Sequence, residues 1–283
     1  MPRYNDKTKI IEHYDQVSPY YRTLWGEHLH HGLWKSGTET KEEAQTALTA
    51  HLADAAQIPL GADILDVGCG FGGSGLYLAA NYHATVVGVT ISPVQAAIAR
   101  QAADKAKANV QFVVMDADRM ALRDTFDVIW SIEAISHFTN KTGFFLKAAE
   151  MLRPGGTLAL IDWFKQENLS IELQKSYITP IERGMLVELK TTSEYRSMLR
   201  TAGLEIRDEN DLTRYCSKTW DICASLIRNR ALWQLARQQG VEFVRFLRSV
   251  NAMRRGFASG CFVYGMLVAH KEKQPQAQLN DSK

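Results

Sequence analysis

Between Ile64 and Gly73 the chain reads Ile-Leu-Asp-Val-Gly-Cys-Gly-Phe-Gly-Gly, an apolar run that ends on an acid and passes into glycines at 68, 70, 72 and 73. Few segments constrain a fold as tightly. An apolar run of this length suits a buried strand, and glycine lets the backbone bend sharply while leaving no Cβ to obstruct a ligand lying against it. Where a strand turns into a helix in an α/β protein, such a bend is a resting place for a nucleotide-like cofactor.

The rest of the chain repeats the strand-then-helix rhythm. Thr85–Thr90 is a β-branched run, and Ser92-Pro93 opens a helix after it, Ser as N-cap and Pro in the first turn. Val110–Val114, Phe126–Ser131 and Thr157–Asp162 read as the third, fourth and fifth strands, with Leu152-Arg153-Pro154-Gly155-Gly156 as a turn before the fifth. Gly203–Asp208 and Phe262–Ala269 complete a seven-stranded, doubly wound, Rossmann-like α/β fold. Alternation of this kind predicts a parallel sheet covered on both faces, with ligands at the carboxyl ends of its strands. Asp66, Thr90, Asp116, Glu133, His137 and Asp162 all fall at or just past those ends.

Asp66 decides which cofactor suits the bend. A carboxylate just ahead of the glycines repels a pyrophosphate, the group that a dinucleotide-binding loop receives. It can accept from an ammonium, directly or through a water. S-adenosylmethionine, with an amino acid, a sulfonium and no phosphate, answers that description.

The pieces Leu65-Asp66-Val67-Gly68-Cys69-Gly70 and Leu152-Arg153-Pro154-Gly155-Gly156 together resemble the class I S-adenosylmethionine-dependent methyltransferases, over roughly residues 40 to 270. Trp25 to Trp34, with Gly88-Val89-Thr90-Ile91-Ser92-Pro93-Val94-Gln95, is similar to the gamma-tocopherol methyltransferase-like branch. That branch also resembles natural-product O- and C-methyltransferases and, more distantly, sterol and cyclopropane-forming enzymes. The resemblance implies that Gly68 and Gly70 admit the methionine portion and ribose. It implies Asp116 and the Ala117 backbone at the adenine. The acidic ribose ligand common in the superfamily is replaced here by Thr90, which leaves Gln95 as the ribose partner. It further implies an N-terminal lid over the cofactor, with Tyr14 and His31 near its carboxylate; packing into a second small core is the alternative for those rings. His137 is the candidate general base, with Asp162 to orient it or to bind a substrate hydroxyl; a helix cap or a contact to the cofactor carboxylate is the other reading of His137. Asp118 reads as a cap or a solvated acid, and Glu133 as a loop support or cap.

The organisation that follows is a lid over 1–40, a methyltransferase domain over 41–270 with a helical cover inserted at about 213–258, and a polar, disordered tail over 271–283. The aromatic-rich cover implies a small-molecule acceptor with an apolar body, methylated on oxygen or carbon. N-methylation of a small amine or alkaloid, or cofactor binding without catalysis, are the alternatives. Arg228, Arg230, Arg254 and Arg255 read as solvated surface, or else as a site for an anionic group.

Charge narrows the partners. A net charge of +2 with interspersed signs gives no basic face for nucleic acid, and the fourth strand runs into Ser131-Ile132-Glu133-Ala134, not into a motif for flipped bases. No apolar run approaches the ~20 residues that span a bilayer, and no leader is evident, so a cytoplasmic location without stable membrane insertion is expected. Cysteines 69, 216, 223 and 261 form no C-x-x-C pair, and no metal site is expected, the histidines at 28, 30 and 31 included. A homodimer is left open.

Overall fold

In the computed structural model, residues 4–273 are described, apart from 121, 123–124, 229–231, 234–235 and 238–239. The seven strands are β1 (Asp63–Val67), β2 (Thr85–Thr90), β3 (Val110–Val114), β4 (Phe126–Ile132), β5 (Leu152–Lys165), β6 (Leu204–Asp211) and β7 (Phe262–Lys271). They form one sheet in the order β3-β2-β1-β4-β5-β7-β6. Pairs β1–β2, β1–β4, β2–β3 and β4–β5 are parallel.

β7 departs from the all-parallel expectation: it runs antiparallel to both β5 and β6. The reason is where the cover begins and ends. It leaves from the end of β6 and returns beside Lys165, which pairs with Phe262 at the carboxyl end of β5. A strand that starts there can only run back the other way. Lys271, expected in the tail, pairs with Leu204 at the last register of β7 and belongs to the sheet; residues 274–283 of the expected tail lie outside the described residues.

β5 starts earlier than expected, because the Arg-Pro-Gly-Gly turn lies within it. Its pairing with β4 slips between Phe126 and Val128, and Gly155 takes φ +82° in the slip. A Cβ on Gly156 would stand 2.9 Å from Arg153 O and 3.0 Å from Asp127 O, so the backbone approach there requires glycine. The Arg153 guanidinium donates to Asp63 and Asp127 at 2.7 Å each, tying the starts of β1 and β4 together.

The strands alternate cleanly. Ile64, Val86, Val128 and Trp130 face one layer, and Leu65, Val67, Val89 and Ile129 face the other. The first layer continues without a break into the cover, through Trp163, Trp220, Phe257 and Phe262. One apolar body therefore joins sheet and cover.

Three helices frame the carboxyl end of the sheet. α1 (Lys7–Trp25) is capped by Asp6, whose carboxylate accepts from Lys9 N. The helices Lys218–Leu226 and Val241–Ser259 make up most of the described cover. Behind the first strand, α2 (Lys41–Ala55) carries a full capping box from Thr40 and Glu43 and buries Ala44, Leu48 and Leu52. α3 (Gly73–Tyr82) follows the glycine bend, and α4 (Pro93–Ala106) follows β2 with Ser92 as its cap.

Candidate active site

The bend after Val67 is held by its own backbone. Gly68 N–H and Cys69 N–H both donate to Val89 O, which draws the loop against β2. Gly68 has φ +80°, and a Cβ there would lie 2.1 Å from the Ala134 Cβ. Gly72, at φ +83°, would collide with the Phe112 ring at 2.4 Å. These positions are glycine for two reasons at once, conformation and contact.

A cavity opens above the bend. Gly68, Gly70, Thr90, Gln95, Asp116 and Ala117 line one side of it. The Thr90 hydroxyl donates to Gln95 Oε1 at 2.7 Å, which leaves the amide N–H groups of Gln95 as donors. Asp116 is bridged to Lys7 of α1 at 3.0 Å, so the lid reaches the site through a charge pair. Asp118 also bridges Lys7 and accepts from Thr139 N–H and Oγ–H, capping that turn as expected.

Asp66 does not line the cavity. It lies 2% exposed beneath the loop, accepts from Gly75 N–H in the first turn of α3, and leaves Oδ2 without a partner. Burial pushes its pKa up to about 7. That placement leaves only the mediated form of an ammonium contact; the carboxylate's direct partner is the start of α3.

The opposite wall comes from the lid, the cover and the carboxyl end of β5. Tyr14 and Tyr21 of the lid, Trp220, Phe243 and Phe246 of the cover, and Trp163 of β5 line it. Among the described residues no arginine lines the cavity. Arg254 pairs with Asp221 and Arg255 lies over Tyr177, both outside; Arg230 lies outside the described residues.

His137 sits in the turn after β4, with both ring nitrogens engaged. Nε2 meets the Tyr14 hydroxyl at 2.9 Å, and Nδ1 meets Leu186 O at 3.1 Å. With a carbonyl on one side, Nδ1 donates and Nε2 accepts from Tyr14. Burial lowers the His137 pKa to about 3. Asp162 does not orient it. Its carboxylate is 0% exposed and accepts from Ser136 N–H, Trp163 N–H and the Tyr195 hydroxyl, and burial raises its pKa to about 6. Asp162 pins the backbone that leads into His137, away from the cavity wall.

Glu133 has a larger part than sequence reading gave it. It takes φ +55°, a conformation that L residues avoid, in the residue after β4. Oε1 accepts from His31 N–H at 2.7 Å, His31 Nδ1 at 2.8 Å and the Tyr264 hydroxyl at 2.6 Å. Burial alone would raise its pKa, yet the His31 ring and the surrounding donors hold it below the usual range. The signal in sequence was weak, an acid two residues past the strand core with no motif around it. His28 and His30 hydrogen-bond each other at 3.1 Å, and among the described residues no group of three or more His, Cys, Asp or Glu stands ready for a metal.

Residues 2–260 match the mycolic acid cyclopropane synthetase family. The chain belongs to that family. It is 32% identical to the 27-O-demethylrifamycin SV methyltransferase of Amycolatopsis mediterranei, over 93% of this chain and 97% of that one. The tocopherol O-methyltransferase of Arabidopsis thaliana is 27% identical, over 93% and 81%. Mycolic acid cyclopropane synthase CmaA1, solved with SAH and CTAB, shares the fold at a TM-score of 0.84 and 19% identity, over 94% of this chain and 98% of that one. As a member of the cyclopropane synthetase family this protein is a methyltransferase, with S-adenosylmethionine as its cofactor.

The residues present fit that cofactor. Gly68 and Gly70 present bare backbone to the cavity, and the donors of Gln95 and the acceptors of Asp116 line the same cavity.

Proposed function

We propose that the protein transfers the methyl group of S-adenosylmethionine to an oxygen or carbon of a partly apolar small molecule, such as a phenol, isoprenoid, polyketide or glycoside. One observation carries this reading: the glycine bend and its polar partners open onto the same cavity as an aromatic wall built by lid, cover and the end of β5. Cofactor and acceptor would thus meet in a single dry chamber. The 27-O-demethylrifamycin SV and tocopherol methyltransferases, whose names describe acceptors of this kind, support the choice.

The cofactor supplies an activated methyl on a sulfonium; the protein supplies binding, orientation and exclusion of water. In this reading Gly68 and Gly70 admit the methionine portion, Gln95 held by Thr90 meets the ribose, and Asp116 with the Ala117 backbone reads the adenine edge. Asp66 secures the loop and the start of α3. Tyr14 and His137 latch the lid to the turn after β4. Lys7 closes the same lid onto Asp116 and Asp118.

Two titrations and one assay test this. S-adenosylhomocysteine should bind in calorimetry where NAD does not, and an assay with the tritiated methyl donor should label members of a panel of prenylated hydroquinones, naphthols and macrolide aglycones. Binding of NAD in place of S-adenosylhomocysteine would overturn the assignment of the bend. Preferential labelling of small amines over every hydroxyl acceptor would overturn the acceptor class.

A further inference from the structure

We propose that His31, oriented by Glu133, is the general base that takes the proton from an acceptor hydroxyl. The inference rests on the methyl-transfer reading above and assigns the base to a different histidine from the one in the turn after β4.

His31 is fixed from two sides. Its backbone N–H and its Nδ1 both meet Glu133 Oε1, and Tyr264 donates to that same oxygen. A carboxylate has no proton to give, so Nδ1 is the protonated nitrogen, and in the neutral ring Nε2 holds the free lone pair. The ring itself is clamped. It stacks on Tyr264 with centroids 4.5 Å apart, and meets Trp220 edge-on at 4.7 Å. His31 lines the cavity and is only 2% exposed, yet Nε2 has no hydrogen-bond partner. His137 differs in the one respect that counts, since Tyr14 and Leu186 occupy both its nitrogens.

Two more unpartnered groups surround the same ring. The indole N–H groups of Trp163 and Trp220 are buried without acceptors, and their rings lie 6.0 and 4.7 Å from that of His31. Buried polar groups in native proteins are nearly always paired, so a cluster of three that line one cavity points to a ligand that pairs them. A hydroxyl gives its proton to Nε2 and, as an oxyanion, accepts from an indole N–H. The site also lies beside the cradle: Gly68 packs on Ala134, the residue after Glu133.

The proton balance is simple. The acceptor O–H bond breaks, its electron pair stays on oxygen, and the proton passes to His31 Nε2. The imidazolium so formed is neutralised by Glu133, which keeps its charge throughout. On product release the proton leaves to solvent. Glu133 is a positioning residue, since it acts through the ring. The acceptor class narrows to phenols and enols, whose hydroxyls a histidine can deprotonate, and to carbon acceptors activated by such a hydroxyl.

The test combines spectroscopy with kinetics on the full chain. In protein labelled with ¹⁵N-histidine and mixed with S-adenosylhomocysteine, two-bond ¹H–¹⁵N spectra should show His31 as the Nδ1–H tautomer, assigned by its loss in His31→Gln. Glu133→Gln should convert that signature to a mixture of tautomers. Against a naphthol or prenylated hydroquinone that the wild type methylates, His31→Gln should lower kcat about 100-fold or more while S-adenosylhomocysteine affinity stays within about threefold. An Nε2–H tautomer in the wild type overturns the proposal. So does a His31→Gln enzyme with near-normal kcat, or one whose affinity falls in parallel with kcat. Should His31→Gln fail to fold, or no acceptor in the panel react, the tautomer decides alone; His31 is then assigned from the Glu133→Gln spectrum. A wild type that binds no S-adenosylhomocysteine sinks the methyl-transfer reading instead, a separate outcome.

Discussion

Gly68 shows how much one residue can be asked to satisfy. Its φ of +80° and the 2.1 Å that would separate an added Cβ from Ala134 are independent objections to any side chain. Gly68→Ala should therefore cost about 1–3 kcal/mol of stability and displace the loop, with S-adenosylhomocysteine affinity falling at least tenfold in calorimetry. Asp66 makes a different prediction, about pH. Its folded pKa near 7 stands above the ~3.9 of a free Asp, so the native state keeps a proton that the unfolded chain has lost. Below about pH 4 both states are protonated and the residue costs nothing. As pH rises from about 4 to 7 its contribution to stability is lost, and above that it stays lost. Asp66→Asn keeps an acceptor for Gly75 N–H without the charge. Thermal melts of the ligand-free variant should match wild type near pH 4 and exceed it at pH 8. Asp162 titrates over an overlapping range in both proteins and cancels in the difference. Equal melting temperatures at pH 8 would show that the carboxylate is paired after all.

At the level of elements, most of the sheet could be read from the chain because β-branched and apolar runs alternate there with capped helices. β2 and β3 have the bounds expected, and Ser92 caps α4 through Gln95 N–H. What local pattern did not carry was direction and contact. β7 has the composition of a buried strand whichever way it runs, and only the placement of the cover turns it around. Asp162 and Glu133 both read as acids at strand ends, yet Asp162 lies within β5 and is spent on Ser136, Trp163 and Tyr195, while Glu133 faces the cavity. Little local distinguishes them, because apart from the neighbouring Trp163 N–H their partners come from residues tens of positions away. α1 shows the same dependence. Its three attachments to the sheet edge are Lys7 to Asp116 and Asp118, Tyr14 to His137, and Asp15 to the Ser92 hydroxyl. Each joins the helix to a separate loop, so the lid should loosen by steps. Lys7→Ala should weaken S-adenosylhomocysteine binding several-fold at low salt and less at high salt, because the lost term is a partly exposed ion pair. Tyr14→Phe should weaken it to a similar extent at all salt concentrations. A salt-independent loss for Lys7→Ala would mean that its ammonium over the Phe138 ring, 5.4 Å from the centroid, and not the ion pairs with the aspartates, holds the lid.

For the molecule as a whole, the distribution of charge between chamber and exterior sets what can enter. The overall charge is +2, and Lys7, the one lysine among the described residues that line the cavity, is already committed to two aspartates on the lid seam. None of the described arginines of the cover lines the chamber; Arg254 pairs with Asp221 and Arg255 lies over Tyr177. An acceptor with a diphosphate would have to bury its charge against Phe243, Phe246 and Trp220, where none of the described residues supplies a cation, and an unpaired buried charge is prohibitively costly. An uncharged aromatic or isoprenoid acceptor meets the opposite situation, because each apolar surface it covers is one the chamber would otherwise expose to water. The KM of a neutral phenolic acceptor should then change less than about twofold as salt is raised from about 0.05 to 0.5 M, a range over which the screening length falls severalfold. Prenyl diphosphates should neither be methylated nor compete with it, and the corresponding prenyl alcohols should compete. Competitive inhibition by a prenyl diphosphate that weakens steeply with salt would place a cation in the chamber, and the arginines of the cover would be the first to examine by substitution.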